Sequence, residues 1–194
     1  MPNWCFTTYK LCGFKESVEP FYEMLKELED MDKPYVDNGF GNLWLGCIVN
    51  SLGGDWNDIS CRGEITDYHI NDEGTELTMH CEIAWAEKPE FRHFLEDKLH
   101  VEIYHYSEEP LMALYWTNDK DEEHFKFRYF LDSEIIDPEY FETIEQVADY
   151  INDCKIEGLH VEPDFEKISE ALDKYSDEHD DDWIALHKIE VDED

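Results

Sequence analysis

The sequence predicts an α+β fold, on three observations. Over residues 1–117, apolar residues recur with strand and then helical spacing, in the order strand, helix, strand, strand, helix, strand. A further strand, two helices and a last strand follow to the end of the chain. The 11 Phe, 11 Tyr and 6 Trp among 194 residues supply enough bulk to bury a core despite 50 acidic side chains against 15 basic ones.

Each element has its own local reason. Trp4 to Cys12 alternates as a first strand that Gly13 closes, and Ser17 is expected to cap the helix that follows. On that helix Val18, Phe21, Tyr22, Leu25 and Leu28 form one apolar stripe. Residues 31–54 are punctuated by Pro34, Gly39, Gly41, Gly46, Gly53 and Gly54 around Trp44, Leu45 and Ile48, which predicts a loop carrying a short helix. Trp56 to Ile70 is expected to be a strand, and Asn71-Asp72-Glu73-Gly74 to be a tight turn into the next. There Leu77, Met79, Cys81, Ile83 and Trp85 are expected on the buried face, with Thr78, His80 and Glu82 on the wet one. Pro89 opens a second helix whose stripe is Phe91, Phe94, Leu95 and Leu99. Val101–Tyr106 and Leu111–Trp116 read as one bent strand or as a hairpin broken at Ser107–Pro110.

This order is the ferredoxin-like plan, an antiparallel sheet with helices on one face. Past the charged break at Asp119–Glu123, Phe125, Phe127, Tyr129 and Leu131 alternate as a strand. Thr143 and Gln146 make a capping box ahead of Ile144, Val147, Ala148 and Ile151, and Phe165, Ile168, Ala171, Leu172 and Tyr175 line a second helix. Trp183–Val191 is the last strand. The expected organisation is a ferredoxin-like domain over 1–118 and an acidic β-α-α-β extension over 119–194, packed on the first.

Charge narrows the function. The net charge is −35, and residues 118–194 carry 27 acids and 7 bases against 23 and 8 in residues 1–117. Nucleic-acid affinity rests on Lys and Arg displacing condensed counterions, so direct nucleic-acid binding is not expected. No apolar run approaches the length of a membrane span and Met1-Pro2-Asn3-Trp4 is not a signal peptide, so the expected setting is cytoplasmic, without membrane contact. Cys5, Cys12, Cys47, Cys61, Cys81 and Cys154 include no C-x-x-C pair and read as reduced, structural thiols.

Chemical motifs are scarce. With fifty acids, paired carboxylates arise by chance and carry no signal. The Asp177–Asp182 run lacks the glycine and spacing of a calcium loop, and His100, His105 and Cys81 share no recognised zinc spacing. Gly39-Phe40-Gly41 lacks the lysine of a phosphate loop. No catalytic residue, cofactor or metal ligand is therefore predicted. Tyr68, Tyr104, Tyr106 and Trp116 are expected on an uncovered sheet face, better suited to protein than to bases without accompanying Lys and Arg.

Met1-Pro2-Asn3-Trp4-Cys5, opening a strand that ends in Gly13, resembles the start of the YubB-like ferredoxin-fold family of plasmid and phage proteins. Gly53-Gly54-Asp55-Trp56 is similar to its Gly-x-Lys-Trp segment, Trp85 with Pro89 to its Trp-x-Pro-Pro helix start, and Ser107-Glu108-Glu109-Pro110 to its Tyr-x-Glu-x-Gly bend. Asp55 stands where that family often has Lys, and no Gly follows Glu109. The resemblance covers residues 1–117 only. It implies the ferredoxin-like fold and a bacterial mobile-element origin, and it carries no catalytic residue to this chain.

Charge and resemblance together predict a non-enzymatic interaction protein whose acidic surface binds a basic, nucleic-acid-binding protein, in the extreme case by imitating a duplex. The expected partner-binding residues are Asp121, Glu122, Glu123, Asp177, Glu178, Asp180, Asp181 and Asp182. Two alternatives are an enzyme using Cys, His and carboxylates between the two halves, and a scaffold that binds protein through its sheet face, its charge serving solubility. Cys5 would need a base such as His69, His80, His93, His100 or His105 nearby to become a thiolate; otherwise it packs the core.

Overall fold

The computed structural model describes residues 3–179 and 182–192. The chain is α+β and divides into two compact units, Met1–Asp119 and Lys120–Asp194.

The first unit runs β1 (Trp4–Cys12), α1 (Lys15–Glu29), α2 (Leu45–Ser51), β2 (Gly63–Ile70), β3 (Glu76–Ala84), α3 (Pro89–Leu99), β4 (Glu102–Glu109) and β5 (Leu114–Thr117). A 3-10 turn at Pro110–Met112 makes the last two strands a hairpin. Neighbouring strands are antiparallel in the order β2-β3-β1-β4-β5. β1 is central because its alternation is the cleanest, burying Cys5, Thr7, Tyr9 and Leu11. Its Tyr9 and Leu11 join Ile65, Leu77, Met79, Cys81, Ile83 and Ile103 in one apolar layer, onto which Phe21 and Leu25 of α1, Ile48 of α2 and Phe91 and Leu95 of α3 pack.

Four expectations within this unit are corrected. The first helix begins at Lys15 with Phe14 as its cap residue, so Ser17 already lies inside the first turn, its amide bonded to the Phe14 carbonyl at 2.9 Å. The strand expected from Trp56 begins only at Gly63, because Asp55 Oδ1 accepts from the Asn57 amide at 2.9 Å and folds the chain into an Asx turn. Gly63 then lies so close to its neighbour that a Cβ there would sit 2.7 Å from the Glu82 carbonyl oxygen. Trp85 is outside the strand and outside the core: the chain turns left-handed there, φ 70°, and the indole is 55% exposed. Tyr68 stands on the helix-covered side, its ring 5.7 Å from that of Tyr22 and its hydroxyl donating to Glu29 Oε2 at 2.6 Å.

The last of these has a backbone cause. β2 pairs with β3 as Ile65 opposite Cys81 and then Asp67 opposite His80, so Thr66 is an extra residue, a β-bulge. It exchanges the faces of every residue that follows: Tyr68 and Ile70 turn to the core, Asp67 and His69 to the other side.

The second unit runs β6 (Tyr129–Ser133), β7 (Glu139–Phe141), α4 (Ile144–Asp153), α5 (Phe165–Glu178), β8 (Ile184–Lys188) and the two-residue β9 (Glu190–Val191). β6 lies between β7 and β8, antiparallel to both. Residues 125–128, expected in the strand, lie before it: the Arg128 guanidinium turns back to donate to the Phe125 and Phe127 carbonyls at 2.6 and 2.9 Å, and of these residues Arg128 meets the flanking chains, its amide donating to the Phe141 carbonyl at 2.7 Å and its carbonyl accepting from the Ile189 amide at 2.9 Å. The capping box forms as its residues predict: Thr143 Oγ1 accepts from the Gln146 amide, and the Gln146 side chain accepts from the Thr143 amide. Leu131, Val147, Ile151, Ile168, Leu172 and Ile184 fill the core of this unit.

Candidate functional site

The acidic side chains of the second unit stand outward because its apolar stripes are taken up inward. On α5, Ile168 and Leu172 are buried, and Phe165, Ala171 and Tyr175 pack against them. Glu166, Glu170, Asp173 and Asp177, spaced four, three and four residues apart, share the opposite face and are all exposed. At 1.5 Å rise per residue they make a row about 16 Å long. On α4, Glu145, Asp149 and Asp153 are likewise exposed. Asn152 is not part of that surface, since its amide donates to the Val161 carbonyl at 2.9 Å and accepts from the Val161 amide at 3.0 Å, clamping the following loop.

The eight residues expected to bind a partner fall into two groups in this unit. Asp121, Glu122 and Glu123 are exposed in the stretch before β6, where Glu122 Oε1 lies 3.2 Å from Arg128 Nε. Asp177 and Glu178 close α5, exposed, with Glu178 3.8 Å from Lys174. Asp182 is half-buried, its amide donating to the His179 carbonyl at 2.9 Å, and Asp180 and Asp181 lie outside the described residues. Glu166, Glu170 and Asp173, which helical spacing in the sequence places with Asp177 and Glu178 on the polar side of this helix, are exposed there.

A second arrangement bears on cysteine chemistry. Cys5 Sγ lies 3.5 Å from Thr7 Oγ1, which is 2.9 Å from Ser107 Oγ, which is 3.1 Å from His105 Nδ1. Cross-strand pairing builds this chain, with Thr7 of β1 directly opposite Ser107 of β4. Cys5 is fully buried and burial pushes its thiol up to about 11, so at neutral pH it is a packed thiol rather than a nucleophile. Cys61 is pushed up to about 11 and Cys81 higher still, again mainly by burial; Cys12 reaches about 12 through burial and the adjacent Glu76 carboxylate.

The bulge in β2 creates a third arrangement that the sequence did not reveal. Asp67 and His69 of β2 and His80 of β3 each bring a ligand atom within 4.8 Å of the others. The polar character of His80 was legible from the alternation of β3. The approach of Asp67 and His69 was not, because an unbroken strand would turn both to the core.

Of the aromatic residues expected on the uncovered sheet face, Tyr104 and Tyr106 alternate with Ile103 and His105 and face away from the helices, but Tyr106 is buried there rather than uncovered, whereas Trp116 pairs with Ser107 and shares that residue's face. No helix among the described residues is long and apolar enough to cross a membrane. No family model matches the chain, and no curated protein or solved structure matches it either.

Proposed function

We propose that this chain is a non-enzymatic interaction protein whose acidic second unit binds a basic, nucleic-acid-binding protein by offering carboxylates in place of phosphates. The observation that carries the reading is the α5 row of Glu166, Glu170, Asp173 and Asp177, exposed on one helix face. These carboxylates are about 5.5 Å apart along the axis, against about 3.4 Å per charge for one strand of a duplex. A single helix therefore approaches the linear charge density of one strand without reaching it, and the exposed acids of α4 and of residues 121–123 add to the charge of the unit. Charge at this density steers a basic partner in solution and gives a strongly salt-dependent complex.

The ferredoxin-like description of the first unit belongs to the same proposal. Antiparallel strands in the order β2-β3-β1-β4, with α1 between β1 and β2 and α3 between β3 and β4, support it; α2 and β5 are additions to that plan. The YubB-like resemblance, and with it a bacterial mobile-element origin, stands on the motifs of residues 1–117.

Partners captured from bacterial lysate on the immobilised chain, then challenged with duplex DNA and with a salt gradient, test the function. Release of one nucleic-acid-binding protein by duplex DNA is the expected result, and reversing Glu166, Glu170, Asp173 and Asp177 to Lys should abolish its capture. Basic proteins that all leave at low salt, indifferent to duplex and to the reversal, would refute the reading.

A further inference from the structure

We infer that Asp67, His69 and His80 form a three-ligand site for a borderline divalent transition cation, with zinc as the reference ion, on the sheet face turned away from the helices. The donors are two imidazoles and one carboxylate, the set that in open zinc sites leaves further coordination positions for water or an incoming ligand. Calcium and magnesium prefer an all-oxygen shell, so the imidazole pair selects against them.

Three features of the fold build this site. The Thr66 bulge sets Asp67 directly opposite His80 and brings His69, two residues on, to the same face. Thr66 Oγ1 donates to the His80 carbonyl at 3.1 Å, tying the bulge to the strand that carries the ligand. On the other side of His80, the Thr8 hydroxyl of β1 lies 3.1 Å from Nδ1. With that hydroxyl accepting from Nδ1–H, the imidazole keeps its lone pair on Nε2 for a metal, the outer-shell arrangement usual for metal-binding histidines.

The geometry requires little movement. Tetrahedral zinc with ligand bonds of about 2.0 Å needs its donor atoms about 3.3 Å apart. The three atoms already lie within 4.8 Å, the His69 and His80 rings have centroids 6.2 Å apart, and Asp67 and His69 are exposed side chains able to close the difference by rotation. His80 is half-buried and held by Thr8, so it serves as the fixed ligand toward which the other two move. Glu64 and Glu82, opposite one another on the same two strands, add negative potential beside the site.

Zinc titration of the full chain tests this, in millimolar magnesium to occupy carboxylate-only sites and read by long-range proton–nitrogen correlation of the imidazoles. The expected result is that the His69 and His80 nitrogens shift first among the nine histidines and saturate together. Asp67→Asn, His69→Asn and His80→Asn should each weaken zinc binding by about tenfold or more, and Thr8→Val, which keeps all three donors, by about tenfold. Unchanged amide spectra of the metal-free variants would show that the fold is retained. The proposal is overturned if other histidines respond first, if the variants bind zinc as tightly as the parent, or if Asp67→Asn alone has no effect.

Discussion

The Tyr9 hydroxyl donates to Glu87 Oε1 at 2.9 Å, and Arg92 Nε donates to the same oxygen at 3.3 Å, deep in the first unit. Glu87 and Arg92 are 6% and 3% exposed, so a full ion pair sits in a dry setting where each charge depends on the other. Arg92→Ala removes the counter-charge of the buried carboxylate and is expected to lower unfolding stability by about 3–5 kcal/mol. Tyr9→Phe removes one hydrogen bond to a charged group and should cost about 1.5–3 kcal/mol. Urea denaturation of the two variants checks both the sizes and their order.

The buried thiols predict alkaline weakness. In the unfolded chain a cysteine ionises near 9.0, whereas Cys5 and Cys61 stay protonated in the fold up to about 11 and Cys81 beyond that. Below pH 9 both states hold their protons and stability is unaffected. Between about pH 9 and 11 the native state binds more protons than the unfolded one, so stability must fall as pH rises, by about 1.4 kcal/mol per unit for each thiol. Tyr9, raised by burial and by the Glu87 carboxylate, adds to the fall above pH 10. Denaturation midpoints measured across that window under reducing conditions should show the slope, and replacing Cys5 and Cys61 by Ala should make it shallower.

Trp85 is expected to be dispensable to the core. Its ring is exposed and carries the Arg62 guanidinium 5.1 Å from its centroid, an interaction of about 0.5–1 kcal/mol at such sites. Trp85→Ala should therefore cost about that much, well under the several kcal/mol of a core truncation. Trp85→Gly should be about 1 kcal/mol more stable than Trp85→Ala, because the left-handed backbone strains any residue with a Cβ. Thermal melts of the two variants decide it.

What the sequence made legible follows period and punctuation. α1, α3, α4 and α5 carry unbroken apolar stripes, and each appears where its stripe predicts, within a residue or two at the ends. β1 was equally plain, and β3 nearly so: its alternation holds as far as Ala84, but Thr78, expected on the wet face, is buried, and Trp85 lies beyond the strand. Two of the failures share one physical source, hydrogen bonds made by particular side chains, and a third is a left-handed turn of the backbone. The Asp55 Asx turn and the Arg128 guanidinium folded onto the Phe125 and Phe127 carbonyls each delay a strand that the hydropathy pattern would start earlier, and the left-handed backbone at Trp85 ends one that the pattern would extend. The acidic row on α5 was legible too, because the stripe of Ile168 and Leu172 in the sequence already fixes which face is buried. The Asp67, His69 and His80 grouping depends on cross-strand register, and one unpaired residue decides that register.

That unpaired residue makes β2 sensitive to count rather than to identity. Removing Thr66 would leave a regular ladder with both faces intact, since Ile65 would still meet Cys81 and Asp67 would still meet His80. Losing Asp67 would do the same with Thr66 opposite His80, whereas losing any one of Tyr68 to Ile70 would exchange the inner and outer faces of part of the strand, sending polar groups into the core. A lineage of this chain can therefore shed one codon at position 66 or 67 with both faces kept, and hardly anywhere else along the strand. Related sequences, once aligned, should show their single-residue gaps in β2 concentrated there.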